Sequence, residues 1–349
     1  MDNRKDIALI TGITGQDGSY LAENLLSRGY TVIGVKRRTS TDNTGRLKNV
    51  LTHPKFRIEE GDICDPAYIS FSLLNNRPTH VFNLAAQSHV ATSFTQPMAT
   101  FDITGKAVLN FLEGIRLLSP STRFYQASSS EMFGDSISYL EMDYYTWRID
   151  TYYEPGMEKK FQIFQDENTP FHPQSPYAIA KLAAHNLISL YRKSYGLFCV
   201  SGILFNHESP RRGDLFVTKK ISNYCRYLKN TLNNSNIQTL LELGNTNVFR
   251  DWGHASDYVE AMRLMMEASS PNDYVVGTGE THSVEDFLRE AFSIIGIEDY
   301  RKYVMHNLSL YRPSDVPFLR SLPEKIKVEL GWTPKISFKQ LVKEMVDGE

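Results

Sequence analysis

The feature of this chain that most constrains its fold is a glycine-rich turn directly after a short apolar run. Residues Ile7–Ile10 form a run of the kind that becomes a buried parallel strand, and Gly12, Gly15 and Gly18 follow at three-residue spacing. Residues Ser19–Arg28 then show the pattern of an amphipathic helix. A strand, a glycine turn and a helix in this order can bind the pyrophosphate of a dinucleotide. The same spacing also occurs in purely structural turns, so the pattern leaves both interpretations open.

Further apolar runs alternate with helical segments along the first two hundred residues. The predicted strands are Thr31–Val35, Phe56–Ile58, His80–Leu84, Phe124–Ala127 and Leu197–Leu204. This alternation predicts an α/β fold with a Rossmann-type, doubly wound parallel sheet.

After residue 205 the elements become shorter and more polar, which predicts a second lobe. We expect residues 1–205 to form an NADP-binding domain, to which residues 245–268 return. Residues 206–244 and 269–349 are expected to form a smaller, mixed α/β substrate-binding lobe.

The segment 135–170 is unusually aromatic for a linker, which predicts an ordered flap that covers the substrate or an interface. Its tyrosine and tryptophan residues are Tyr139, Tyr144, Tyr145, Trp147, Tyr152 and Tyr153.

Composition excludes several classes of partner. The formal net charge of −2 gives no support for nucleic-acid binding, and no apolar run is long enough for a membrane span. The N-terminus lacks the pattern of a signal peptide. Cys64, Cys199 and Cys225 are odd in number and widely spaced, which argues against a disulfide framework and against a metal site. We therefore expect a cytoplasmic protein without a metal.

The end of the second predicted strand carries cations where an NAD site usually has an acid. Lys36, Arg37 and Arg38 suit the 2′-phosphate of NADP, and arginine can bind phosphate through two hydrogen bonds. A solvated basic turn is the alternative interpretation. Asp62, after the third strand, can accept from the adenine amino group or can be a simple turn aspartate.

Four residues in two segments form a candidate catalytic group. Tyr177 and Lys181 are spaced i, i+4 and so share one helix face. A free tyrosine has a pKa of about 10, and we expect the ammonium and a positive nicotinamide ring to favour its phenolate. Ser129, at the end of the fifth strand, can orient a substrate hydroxyl toward Tyr177. Glu131 can act as a second proton-transfer group or can serve as a helix cap.

These residues, together with longer motifs, resemble the extended short-chain dehydrogenase/reductase family, and most closely its GDP-mannose 4,6-dehydratase branch. The motifs that carry the resemblance are Ile10–Tyr20, Asn83–Val90, Gly202–Gly213, Arg250–His254 and Tyr311–Pro313. The family's catalytic threonine falls on Ser129, and its glutamate, tyrosine and lysine fall on Glu131, Tyr177 and Lys181. Ser130 stands where glucose-nucleotide dehydratases place an aspartate, so one carboxyl group would serve as both base and acid.

The resemblance implies a hydro-lyase that converts GDP-mannose to GDP-4-keto-6-deoxymannose by NADP-mediated internal hydride transfer and loss of water. The implied cofactor-binding residues are Gly12, Thr14, Gly15, Gln16, Asp17, Gly18, Arg37, Asp62, Ile63, Leu84, Ala85, Ala86, Tyr177, Lys181 and His207. The implied substrate-binding residues are Ser88, Asn206, Arg212, Lys220, Arg250 and Arg312. The loop Arg37–Arg46 resembles one that reaches a neighbouring subunit, which implies a homotetramer built as a dimer of dimers.

Other functions stay open at this point. A GDP-manno-heptose 4,6-dehydratase would use the same chemistry, and only contacts to the sugar would separate the two. An epimerase or ketoreductase on the same scaffold has no need of Glu131. A regulatory protein that senses NADP without turnover commonly lacks the Tyr177 and Lys181 pair, which is present here.

Overall fold

A computed structural model describes residues 6–142, 151–152, 160–231 and 239–348. In chain order, the strands of the described residues are β1 (Ile7–Thr11), β2 (Thr31–Lys36), β3 (Phe56–Glu60), β4 (His80–Asn83), β5 (Arg123–Ser129), β6 (Ser138–Met142), β7 (Thr151–Tyr152), β8 (Lys160–Phe164), β9 (Cys199–Leu204), β10 (Asn206–Glu208), β11 (Leu241–Leu243), β12 (Phe249–Arg250), β13 (Trp252–His254), β14 (Asp273–Val276), β15 (His282–Ser283) and β16 (Val304–His306).

The α-helices of the same ranges are α1 (Gln16–Ser27), α2 (Pro66–Asn76), α3 (Val90–Thr95), α4 (Pro97–Phe101), α5 (Val108–Leu118), α6 (Pro176–Tyr195), α7 (Val217–Thr231), α8 (Ala255–Glu267), α9 (Val284–Ile294), α10 (Glu324–Leu330) and α11 (Phe338–Asp347). A π-helical turn, Asp102–Lys106, joins α4 to α5. Short 3-10 helices cover Gly45–Leu47, Ser130–Met132, Tyr300–Lys302 and Leu308–Leu310.

Seven parallel strands form the central sheet in the order β14-β9-β5-β4-β1-β2-β3. This arrangement confirms the predicted doubly wound α/β fold, in which the strand order reverses beside β1. Apolar side chains of α1 and α8 cover one face of the sheet, and those of α2, α5 and α6 cover the other. Because all strands run in one direction, their carboxyl ends meet at one edge, where a ligand site is expected.

The seventh strand, β14, differs from the sequence-based assignment. Residues 269–349 were expected in the smaller lobe, whereas Asp273–Val276 pair with Ser201–Leu204 at the edge of the main sheet. The run is only four residues long, and the strand with which it pairs lies about seventy positions away in the chain. No local sequence pattern therefore predicts that Asp273–Val276 joins the main sheet. The wider division into two lobes stays a prediction.

A separate apolar core lies among α7, α9 and α11, within the range assigned to the smaller lobe. It contains Ile221, Cys225, Phe287, Leu341 and Met345, all fully buried. Short two-stranded sheets, β10 with β13, β11 with β16 and β12 with β15, accompany this core. These elements extend from the carboxyl edge of the main sheet and so form one wall of the cleft described below.

Between the two segments that carry the candidate catalytic residues, the described residues include a three-stranded antiparallel sheet in the order β6-β8-β7. Buried Gln165 attaches its end to the chain near β14, because the Gln165 N–H donates to the Arg320 carbonyl at 2.8 Å and the Arg320 N–H donates to Gln165 Oε1 at 2.8 Å. Four of the aromatic residues on which the flap prediction rested lie outside the described residues: Tyr144, Tyr145, Trp147 and Tyr153.

No helix within the described ranges is both long and apolar enough to cross a membrane.

Candidate active site

One cavity of about 860 Å³ opens at the carboxyl edge of the sheet. Every residue that the family resemblance implies for catalysis, cofactor binding or substrate binding lines it, whereas Arg38, the last of the three cations after β2, does not. The lining therefore includes Gly12, Thr14, Gly15, Gln16, Asp17, Gly18, Arg37, Asp62, Ile63, Leu84, Ala85, Ala86, Ser88, Ser129, Glu131, Tyr177, Lys181, Asn206, His207, Arg212, Lys220, Arg250 and Arg312. The fold thus brings together segments from the whole chain, although the role of each residue stays a prediction.

The glycine turn and the start of α1 form one end of this cavity. Gly12 has a φ of +67°, and a Cβ on Gly18 would collide with the Gly12 carbonyl oxygen. Gly15 is the N-cap of α1 and has no side chain that could cap the helix. The first N–H groups of α1 are therefore available to an anion, and the residues present fit a dinucleotide pyrophosphate.

The next part of the cavity follows the ends of β2 and β3. Asp62 Oδ1 accepts from the Cys64 N–H at 2.9 Å, so this aspartate both forms the turn and borders the cavity. Lys36 pairs with Glu60 at 3.7 Å, whereas Arg37 is exposed along the cavity. Arg37 is thus the cation of this group that is best placed for a phosphate.

The loop after β2 makes contacts within its own chain. Arg46 Nε donates to the Arg211 carbonyl at 2.7 Å, and Arg46 Nη1 donates to the Thr14 carbonyl at 3.4 Å. This end of the Arg37–Arg46 loop therefore rests against the glycine turn and the start of the smaller lobe. The proposed reach toward a neighbouring subunit stays a prediction.

The floor of the cavity is fixed by hydrogen bonds between β1 and β4. Thr11 Oγ1 donates to Asn83 Oδ1 at 2.8 Å and accepts from the Leu84 and Ala85 N–H groups, each at 3.1 Å. These bonds hold the backbone of residues 84–86 against the glycine turn. The position of these three residues beside the turn matches the predicted cofactor groove.

Lys181 and Tyr177 lie on α6, which begins at Pro176 and is capped by Ser175. Lys181 Nζ donates to the Ala127 carbonyl at 2.6 Å and lies 5.8 Å from the centre of the Tyr177 ring. Burial lowers the pKa of Lys181 to about 8. The ammonium is therefore fixed between β5 and the tyrosine.

The pKa of Tyr177 differs from the sequence-based expectation. Burial raises it to about 12, hydrogen bonding with Ser129 opposes the rise, and the Glu131 carboxylate adds to it. The sequence-based expectation rested on nearby positive charges, whereas Tyr177 is only 8% exposed and its phenolate is poorly solvated. In the protein alone, burial therefore outweighs the hydrogen bond with Ser129 and the charge of Arg212, and the phenolate is disfavoured.

Ser129 is the last residue of β5 and caps a short 3-10 helix, Ser130–Met132, that contains Glu131. Ser129 Oγ accepts from the Glu131 N–H at 3.2 Å, so the serine is the helix cap and the glutamate is not. The Glu131 carboxylate lines the cavity and is close enough to Tyr177 and Arg250 to influence the pKa of each. The carboxylate and the phenol can therefore reach one substrate.

Arg250 and Arg312 share one carboxylate at the cavity wall. Arg250 Nη2 lies 3.2 Å and Arg312 Nη1 lies 3.4 Å from Asp315 Oδ1. Arg250 Nη1 also donates to the Val316 carbonyl at 2.7 Å. Arg250 is buried, so the Asp315 carboxylate offsets part of the cost of placing its charge there.

A second buried acid lies beside Arg212. Glu208 Oε2 is 3.0 Å from Arg212 Nε and accepts from Thr218 Oγ1 at 2.6 Å. Burial raises the pKa of Glu208, and the Arg212 guanidinium opposes that rise. The guanidinium also lies 3.7 Å above the Phe216 ring. Arg212 is therefore held in one orientation at the cavity wall.

The partners of these cations, Glu208, Phe216 and Asp315, are not among the residues predicted from the sequence. Glu208 lies inside the motif Gly202–Gly213, where its position between predicted site residues was a usable signal. The pairing of Asp315 with Arg250 spans 65 residues and depends on tertiary packing. No pattern in the sequence reveals that pairing.

A family model described as the NAD dependent epimerase/dehydratase family matches residues 8–277. The chain belongs to this family. The match begins in β1 and ends just after β14, so it covers every strand of the central sheet.

Relatives that match nearly the whole chain share one name within this family. GDP-mannose 4,6 dehydratase 1 of Arabidopsis thaliana is 43% identical over 98% of this chain and 89% of its own length. The Homo sapiens GDP-mannose 4,6 dehydratase is 41% identical over 100% of this chain and 92% of its own length. These matches confirm the resemblance that the motifs indicated.

A solved structure in the same family shares the fold. The UDP-glucose 4-epimerase of Thermus thermophilus, crystallised in complex with NAD, is 25% identical, has a TM-score of 0.77 and covers 98% of each chain. The epimerase/dehydratase scaffold therefore extends over the full length of this chain.

Proposed function

We propose that this protein is a GDP-mannose 4,6-dehydratase, a hydro-lyase that converts GDP-mannose to GDP-4-keto-6-deoxymannose. The observation that carries the proposal is that Glu131 lies in the same cavity as Ser129, Tyr177 and Lys181. Epimerases and ketoreductases of this scaffold need only the other three groups. The relatives from Arabidopsis thaliana and Homo sapiens carry the same name.

The first step belongs to Tyr177 and Ser129. Ser129 orients the sugar 4-hydroxyl, and Tyr177 removes its proton while the hydride leaves C4. NADP⁺, when bound, would supply the hydride acceptor for C4 and the hydride donor for C6, and its positive ring would favour the Tyr177 phenolate. Lys181, fixed on the Ala127 carbonyl, adds to the positive potential at the tyrosine.

The second step belongs to Glu131. Once C4 is a ketone, the proton on C5 becomes acidic, and the Glu131 carboxylate removes it. The resulting carboxylic acid then protonates the C6 hydroxyl as it leaves as water. When hydride is added at C6, C5 takes up the proton that Tyr177 removed from O4, so both side chains return to their starting states. Ser130 follows Ser129 where a second acid could have stood, so one carboxyl group performs both transfers.

NADP is the preferred cofactor within this proposal. Arg37 is exposed along the cavity at the end of β2, where a 2′-phosphate would lie, and Lys36 is already paired with Glu60. A charge-assisted hydrogen bond from a guanidinium to phosphate is among the stronger polar contacts in proteins.

We further propose that the protein is a homotetramer located in the cytoplasm. The outer faces of α4 and α6 expose Met98, Phe101, Ile179 and Leu190, which supports burial of this surface against another copy. The three cysteines are free thiols, as expected in a reducing compartment. Light scattering of the purified protein tests the assembly, since a monomer at micromolar concentration would contradict it.

Incubation of the purified protein with GDP-mannose and with GDP-manno-heptose, without added reductant, tests the function. Mass spectrometry should show loss of one water from GDP-mannose. Preferential dehydration of the heptose would support the alternative dehydratase, and unchanged substrate would support a regulatory NADP-binding protein.

A further inference from the structure

The side chain of Gln87 fixes both the N–H and the carbonyl group of the His89 backbone. The His89 N–H donates to Gln87 Oε1 at 2.7 Å, and Gln87 Nε2 donates to the His89 carbonyl at 3.1 Å. Gln87 is itself bound to Thr100 and Thr104, each at 3.1 Å. The loop that carries His89 along the cavity therefore has little freedom to move.

The hydrogen bonds at the start of α3 determine which ring nitrogen of His89 carries the proton. His89 is the N-cap of α3, where Nδ1 accepts from the Thr92 N–H at 3.4 Å and contacts Thr92 Oγ1 at 2.8 Å. A neutral imidazole that accepts at Nδ1 must carry its proton on Nε2. In the described part of the chain, the hydrogen bonds of the ring are those made by Nδ1.

The ring is also oriented by packing. It meets the edge of Phe216 at 5.9 Å between centroids and an interplanar angle of 85°. Arg212 lies 3.7 Å from the centre of the same Phe216 ring. His89 and Arg212 are thus arranged around one aromatic side chain.

Two further cations border His89 in the cavity. Burial lowers the pKa of His89, and Arg312 and Lys220 lower it further, so the ring stays neutral. Phe216, Lys220 and Arg312 all follow residue 205 and belong to the range assigned to the substrate lobe. The His89 ring is therefore next to side chains of the predicted substrate lobe.

We propose that His89 binds substrate: its Nε2–H donates to a phosphate oxygen of the nucleotide-sugar diphosphate, beside Lys220 and Arg312. This inference rests on the proposed function for its ligand class. A neutral, fixed donor between two cations suits an anion because it adds a directed hydrogen bond without adding further like-charge repulsion.

The substitution His89→Asn tests this role while it preserves the fold. Asparagine is among the best N-cap residues, so its Oδ1 can replace Nδ1 as the acceptor, but it has no group at the position of Nε2. Calorimetric titration should show GDP binding weakened by about tenfold or more, as expected for a hydrogen bond to a charged group. Binding of guanosine and of NADP should stay unchanged.

Kinetics of the same variant separate binding from chemistry. We expect KM for the GDP-sugar to rise by about tenfold while kcat changes less than about twofold, because the bond is made equally before and during reaction. His254→Asn is the matched control. His254 caps α8 through Nδ1 at 3.1 Å from the Ser256 N–H, and its ring packs on Tyr20 away from the cavity.

Three results would overturn the inference: unchanged GDP affinity, equal losses for GDP and guanosine, or a loss confined to NADP. These binding measurements need no turnover, so they remain decisive if the dehydratase activity fails. A wild-type protein that binds GDP through His89 but dehydrates no GDP-sugar would support this inference and refute the proposed function.

Discussion

His207 Nε2 lies 2.8 Å from Asp17 Oδ2, although 190 residues separate the two in the chain. The other ring nitrogen, Nδ1, lies 2.8 Å from the Phe205 carbonyl oxygen. Because both nitrogens face acceptors, this geometry favours the doubly protonated imidazole, and the pKa of His207 is raised. This ion pair joins the first turn of α1 to β10, and Gln16 Nε2 strengthens the same joint by donating to the His207 carbonyl at 3.0 Å.

Substitution of Asp17 by Asn should lower the pKa of His207. Burial lowers this pKa, but the Asp17 carboxylate outweighs burial and leaves it above the usual 6.5. The pair therefore adds stability below pH 6.5, and this contribution is lost as pH rises through the native pKa of His207. The loss of unfolding free energy in the variant should be larger at pH 6 than at pH 9. Titration of the imidazole by NMR measures the shift, and an unchanged pKa would show that the pair is not ionic.

Substitution of Glu131 by Gln should separate hydride removal from water loss. Tyr177 still removes the 4-hydroxyl proton, but no carboxylate takes the proton from C5, so reduced cofactor should accumulate on the enzyme. The rate of product formation should fall by at least about a hundredfold, as is typical for loss of a general base. Nicotinamide absorbance and mass spectrometry report the two events. Tyr177→Phe is the contrasting variant and should yield neither reduced cofactor nor product.

Replacement of Arg37 by Ala should weaken NADP more than NAD. Loss of a charge-assisted contact to the 2′-phosphate should raise the NADP dissociation constant by about tenfold or more. Arg38→Ala is the matched control, since Arg38 is also exposed but only Arg37 borders the cavity. Equal effects of Arg37→Ala on the two cofactors would remove the phosphate role.

Lys181→Met should change how stability depends on pH. Burial lowers the pKa of Lys181 from 10.5 to about 8, so between these values the unfolded chain holds a proton that the native protein has released. The free energy of unfolding of the wild type should therefore rise relative to the variant as pH increases across this window, by about 3 kcal/mol in total. Urea unfolding at several pH values measures the difference. A constant difference would show that Lys181 titrates normally.

The parts of this protein that a single sequence predicts are those with local patterns. The glycine turn at Gly12 and the i, i+4 pair of Tyr177 and Lys181 depend on residues close in the chain, and the structure places them as predicted. Asp273–Val276 was missed because its place in the sheet depends on a distant strand.

Electrostatics were harder to predict than placement. The rise in the pKa of Tyr177 comes mainly from burial, which depends on how the whole site packs. The pairing of Asp315 with Arg250 likewise depends on tertiary packing, whereas Glu208 and Arg212 are only four residues apart in the chain. The sequence motifs therefore indicated which residues come together, but not the pKa values of their side chains.

Transfer of an isotope from C4 to C6 is the most direct test of the central claim that hydride is removed and returned within one site. GDP-mannose deuterated at C4 would be incubated with the protein and NADP, and the product analysed by NMR and mass spectrometry. The account predicts a dehydrated product that retains the deuterium at C6. Dehydrated product without deuterium at C6, or deuterium recovered in free cofactor, would contradict it.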